Sequence, residues 1–240
     1  MSDKKIEELE KKIGYIFQDK KMIRQALTHS SFANERKINK ESDYERLEFL
    51  GDAVLELVSS EFLYLTNTEM QEGELTKIRA SMVCEQALSF CARDLNLGEY
   101  IRLGKGEEQT GGRSRASITA DVMEALIGAI YLESGLREAS KFIHRFILSD
   151  LEQKQLFYDA KTILQEKVQK KGLDVRYELV REEGPEHDKQ FFVEAYLGDI
   201  KLGHGSGHNK KSAEQQAAYS ALMDMQRKES QETKIEKGKN

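Results

Sequence analysis

Five carboxylates interrupt two otherwise apolar stretches. In "YERLEFLGDAVLEL", Tyr44–Leu57, they are Glu45, Glu48 and Asp52, and in "ITADVMEALIGAIYLE", Ile118–Glu133, they are Asp121 and Glu124. Residues three or four apart share one face of a helix, so the first three acids form one stripe and the last two another. The remainder of each helix is apolar nearly all round, which predicts that both are buried. A lone carboxylate out of water is costly unless it is paired or binds a cation. Within these segments only Arg46 offers a positive partner. A divalent cation would neutralise both stripes at once. The donors are all oxygens, with no His or Cys among them, which favours Mg²⁺, with Mn²⁺ as a substitute, over Zn²⁺. Such a site suits phosphodiester hydrolysis, where metal ions activate water and stabilise the leaving oxygen. Glu56 and Glu61, by contrast, read as solvated.

A second chemistry lies near the C-terminus. In "GSGHNKKSAEQQAA", Gly207, His208 and Asn209 precede Lys210 and Lys211 at an expected helix start. Backbone N–H groups and lysines at a helix N-terminus suit phosphates.

The elements that must position these residues fall into two blocks. Residues 1–150 read as helix after helix, including one from about Tyr44 to Leu65, one over Glu74–Leu95, one from near Ser117 and a last one over about Leu136–Gln153. "LGKGEEQTGGRSR" reads as a Gly-rich, charged loop, with Arg113 and Arg115 as candidate phosphate contacts. A linker follows at 151–158. Residues 159–228 read as helix, three alternating strands and helix, with turns at Gly184-Pro185 and Gly198-Asp199. Residues 229–240 read as a disordered tail. The expected fold class is thus an all-α domain followed by a small α+β (αβββα) domain.

Composition narrows the setting. One proline in 240 residues leans towards helix. No apolar run is long enough to span a membrane, and Met1–Lys12 is too charged for a signal peptide, so a cytoplasmic protein is expected. The net charge of −5 argues weakly against a polyanionic partner until it is divided by region. Acids and bases balance in 159–228 and again in 229–240, so the acidic excess lies in 1–158, with the odd carboxylates. Cys84 and Cys91, seven apart, are expected on one helix face as small core residues in a reducing compartment.

"ERLEFLGDAVLEL" resembles the signature of the ribonuclease III family, and "ITADVMEALIGAIYLE" resembles its second acidic helix. "LTHSSFANE", "EGELTKIRASMV" and "LGKGEEQTGGRSR" are similar to family segments in the same order, and the likeness spans residues 6–228. It implies an all-α endonuclease domain and a C-terminal double-stranded-RNA-binding domain. It also implies that Glu48, Asp121 and Glu124 are metal ligands, that Asp52 and Glu124 are essential catalytic acids, and that Glu45 and Glu72 are assisting acids of the cleft. Phe49 matches an aromatic knob inserted into a partner subunit. The implied enzyme is a homodimer that cuts both strands of an RNA duplex, leaving 5′-phosphate and 3′-hydroxyl ends with 3′ overhangs. Its expected work is processing of ribosomal RNA precursors and other structured transcripts, with no small-molecule cofactor and no membrane partner.

In the second domain the resemblance assigns Thr162, Gln165 and Glu166 to one minor groove and His187 to the next. Lys210 and Lys211 are assigned to the phosphates between, a mode that reads A-form shape more than sequence. Glu214 stands where many relatives have a third basic residue, and Ala160 where they often have Pro. His187-Asp188 lacks companion His ligands for a metal dyad. His29 beside Ser30 and Ser31 lacks an acid orienter and reads as structural. "GKGEEQTGG" has the wrong spacing for a phosphate loop. Two rivals remain: a non-catalytic duplex-RNA-binding protein, separated by testing cleavage in Mg²⁺ against EDTA, and a phosphohydrolase of small nucleotides, for which residues 159–240 would be superfluous.

Overall fold

The computed structural model describes residues 2–35, 43–149, 160–170, 172–184, 189–207 and 209–237, with backbone alone for 228–237. The chain divides into two compact units, Met1–Asp150 and Leu151–Asn240. His187, His208 and the expected linker 151–158 lie outside the described residues.

The described part of the first unit is helical: α1 Asp3–Ile13, α2 Lys20–Ala26, α3 Ser30–Glu35, α4 Glu45–Thr66, α5 Glu72–Val83, α6 Glu85–Asp94, α7 Lys105–Gln109 and α8 Ala116–Phe146. At its centre α4 crosses α8. The buried face of α4 carries Leu47, Val54, Leu55, Val58 and Leu63, and α8 buries an almost unbroken run from Val122 to Ile130, Glu124 excepted. Two glycines let the backbones touch. A Cβ on Gly51 would strike the Glu124 carbonyl oxygen, and one on Gly128 would strike the Leu47 carbonyl oxygen.

Three local expectations change. The helix expected over Glu74–Leu95 breaks at Cys84, whose backbone is extended (φ −70°, ψ 160°). The break sends α6 off in its own direction and buries Ala87, Leu88, Cys91 and Ala92, so tertiary packing overrides local helix propensity. Cys84 and Cys91 therefore do not share one helix face: Cys91 is buried, while Cys84 sits at the junction and is partly exposed. The Gly-rich loop holds a short helix, α7, and its arginines are already engaged. Arg113 pairs with Glu108 at 2.5 Å and donates to the carbonyls of Gly98 and Ile101, and Arg115 pairs with Glu107. Both arginines brace the loop. Finally, the expected last helix joins α8 through Gly135, whose φ of 77° and ψ of −177° interrupt the helix.

The second unit runs α9 Ala160–Gln169, β1 Val175–Glu183, β2 Gln190–Leu197, β3 Ile200–Gly207 and α10 Lys210–Lys237. The strands form an antiparallel sheet in the order β1-β2-β3. Alternation turns Val193 and Ala195 inward onto Ala213 and Ala217 of α10. Ala160, Leu164 and Val168 of α9 pack on Ala218, Ala221 and Leu222. Gly203 and Gly205 let β3 lie against the α10 backbone, where any Cβ would collide. Helix α10 also continues through 229–237, where the composition suggests a disordered tail. That run holds three Glu and two Lys, and the next Gly is residue 238.

Candidate metal centre and nucleic-acid interface

The Gly51–Glu124 backbone contact brings the two acidic stripes face to face. Glu48, one turn before Gly51, then meets Glu124 across the crossing, and Asp121 follows one turn before Glu124. One carboxylate oxygen from each of Glu48, Asp121 and Glu124 lies within 4.8 Å of the others, and all three side chains are half-buried. Among the described residues no lysine or arginine pairs with them.

The electrostatic consequence is unfavourable for the bare protein. Burial, then the charges of Asp121, Glu45 and Asp52, push Glu48 up to about 7. Burial, then Asp52, Glu48 and Asp121, push Glu124 up to about 8. Burial also raises Asp121, but a hydrogen bond from Tyr44 and the nearby His29 oppose the rise. Asp52 and Glu45 are exposed at the rim and enter the cluster through their charge. Glu72 is not brought into it: it lies exposed at the start of α5 and accepts a hydrogen bond from Thr76. An all-oxygen set of this size, without a cationic partner among the described residues, fits a hard divalent cation.

One residue of this site escaped the sequence reading. Tyr44 is 3% exposed and its hydroxyl donates to Asp121 Oδ2 at 3.0 Å. Its place four residues before Glu48 was the available signal, since that spacing sets it on the acidic stripe.

In the second unit, Thr162, Gln165 and Glu166 share a face of α9. Thr162 and Glu166 are exposed, whereas Gln165 is partly committed, donating to Asp174 and accepting from the Val175 N–H. Lys210 and Lys211 are exposed in the first turn of α10, in no ion pair among the described residues, and Asn209 caps the helix by accepting from the Ser212 N–H. Glu214 pairs with Lys161 of α9, whose ammonium also lies over the Tyr177 ring. Phe49, on α4, is 81% exposed.

Comparison with known proteins agrees with both units. Residues 19–151 match the family model described as ribonuclease-III-like, and residues 160–225 match the double-stranded RNA binding motif. The chain is 46% identical to "Ribonuclease 3" of Shouchella clausii over 95% of this chain and 88% of that one. It is 49% identical to "Ribonuclease 3" of Caldanaerobacter subterraneus over 89% and 95%. A solved nuclease domain of ribonuclease III from Campylobacter jejuni, described for flexibility in a region involved in dimer formation, superposes with a TM-score of 0.56. It shares 44% identity over 59% of this chain and 95% of that domain. One matched segment covers most of each folded unit, and the chain belongs to the ribonuclease III family of double-stranded-RNA endonucleases.

Proposed function

We propose that this endoribonuclease cleaves duplex RNA with Mg²⁺ held by Glu48, Asp121 and Glu124, working as a cytoplasmic homodimer on ribosomal RNA precursors and other structured transcripts. The observation that carries the reading is the convergence of three half-buried carboxylates without a positive partner among the described residues. Bound there, the cation would supply a water nucleophile at neutral pH and charge stabilisation for the leaving oxygen. Asp52 and Glu124 hold and orient the attacking water, while Glu45 assists from the rim and Glu72 from outside the carboxylate cluster. Thr162, Gln165, Glu166 and His187 meet the minor grooves, and Lys210 and Lys211 hold phosphates, so the second unit selects A-form duplex. The products carry 5′-phosphate and 3′-hydroxyl ends with 3′ overhangs. Among the described residues no helix is long and apolar enough to cross a membrane. The test is cleavage of a long RNA duplex in Mg²⁺ and in EDTA by the wild type and Glu124→Ala. Cutting is expected only with wild type and metal; duplex cutting by Glu124→Ala at the wild-type rate would refute the assignment.

A further inference from the structure

Asp121 differs from its two neighbours in having one oxygen already engaged. Among the described residues no donor reaches the carboxylates of Glu48 or Glu124, whereas Tyr44 Oη donates to Asp121 Oδ2 at 3.0 Å. We propose that Tyr44 is a positioning residue: it holds Asp121 by one oxygen so that the other is presented to the divalent cation. The proposal rests on the metal reading above and extends it to a residue outside the acidic set.

The phenol is itself firmly seated. Its backbone N–H donates to the Thr28 carbonyl at 2.9 Å, and its own carbonyl accepts from Leu47 and Glu48 as α4 begins. The His29 ring lies 5.7 Å from the Tyr44 ring, tilted by 57°. His29 is fixed in turn, with Nδ1 2.8 Å from Ser31 Oγ and its N–H on the Arg102 carbonyl at 3.1 Å. Ser31 Oγ also accepts from the Gly104 N–H at 2.9 Å. The segment "LTHSSF" thereby builds the wall on which the phenol stands. A short acid side chain turns about two bonds, and one fixed oxygen removes most of that freedom. Hydrogen-bonded outer partners of this kind orient ligands, and their loss typically weakens metal affinity about 10–100-fold.

The test uses the full chain stripped of metal, with Mn²⁺ binding followed by electron paramagnetic resonance and folding by circular dichroism. Three proteins are compared: wild type, Tyr44→Phe and Asp121→Asn. Tyr44→Phe keeps the ring and removes only the donor. It is expected to bind Mn²⁺ about tenfold more weakly with the metal-free melting temperature within about 2 °C of wild type, and its cleavage rate should recover as metal is raised. Asp121→Asn is expected to lose Mn²⁺ binding far more severely. If Asp121→Asn abolishes binding and Tyr44→Phe equals wild type, the positioning role falls and the metal site stands. If Asp121→Asn binds like wild type, the metal reading falls and takes this proposal with it. Loss of helical signal, or a rate that stays low at saturating metal, in Tyr44→Phe also overturns it, since the hydroxyl would then be serving the fold.

Discussion

Two glutamates of α8 show how hydrogen-bond donors decide the behaviour of one chemical group. Glu124 has no donor among the described residues and is pushed up to about 8 by burial and by its acidic neighbours. Glu133, two and a half turns later, accepts from the Tyr15 hydroxyl at 2.7 Å, the Asp19 N–H at 3.0 Å and the Gln18 N–H at 3.2 Å. Burial pushes Glu133 up, but these donors outweigh it and its carboxyl sits below the ordinary range. A carboxylate whose folded pKa is depressed stabilises the protein above its unfolded value near 4.5, and that contribution disappears as pH falls through the folded value. Thermal melts of wild type and Glu133→Gln should therefore differ at pH 7 and converge once pH has fallen through the depressed folded value. For a site this open to solvent the gap at pH 7 is expected to be about 2–4 °C. A constant gap from pH 7 to pH 3 would mean that the side chain acts through shape alone. The acidic stripes were legible because carboxylates in apolar helices contradict burial. Tyr44 and Glu133 were passed over: the spacing of Tyr44 from Glu48 hinted at its place on the stripe, but a Tyr or a lone Glu contradicts no burial pattern, and their partners are distant in the chain.

At the scale of elements, the site exists because α4 and α8 cross with their backbones in contact. Gly51 and Gly128 each face a carbonyl of the opposite helix, so neither can carry a side chain without the helices parting. Gly51→Ala should cost about 3 kcal/mol by overpacking, a fall of about 6–12 °C in melting temperature. It should also widen the gap between Glu48 and Glu124, so whatever protein remains folded should show little further rise in melting temperature with Mn²⁺. Calorimetry with and without the ion checks both parts, and an unchanged metal response would mean that the acids do not depend on the crossing. Long helices were readable from the 3.6-residue apolar period, as α4 and the first part of α8 illustrate. The break at Cys84 was not, since no Gly or Pro marks it and only the fit of α6 requires it. Helix α7 hid in a segment whose glycines read as loop; Gly104 and Gly111 lie outside its ends, and Gly106 within it. The alternation of apolar and polar residues, with the turn signals at Gly184-Pro185 and Gly198-Asp199, did reveal the sheet, because a half-buried strand leaves a period of two.

At the scale of the whole molecule, two surfaces remain to be matched with partners. On the first unit, Phe49, Leu57 and Tyr64 stand 81%, 57% and 73% exposed on one face of α4. Helix α4 buries one face and leaves this one open. Apolar residues gathered on an open face suit association, and with homodimerisation as the proposed state, Phe49→Ala should shift the sedimenting species from dimer towards monomer; an unshifted dimer would move the interface elsewhere. On the second unit the proposed phosphate contacts can be counted. Each lysine that neutralises a phosphate releases a condensed counterion, so log affinity falls with log salt by about 0.9 per contact on a duplex. Lys210 and Lys211 are exposed at the N-terminus of α10, whereas Lys161 is drawn into a pair with Glu214. The double variant Lys210→Ala, Lys211→Ala should therefore weaken binding to all duplex sequences alike and flatten the salt slope by about 2. Glu214→Ala should act in the opposite sense, because it removes a negative charge and frees the Lys161 ammonium for phosphate. Filter binding to one RNA duplex across a salt series measures both. A double variant with weakened binding but an undiminished slope would show that these lysines shape the helix start and do not touch the RNA backbone.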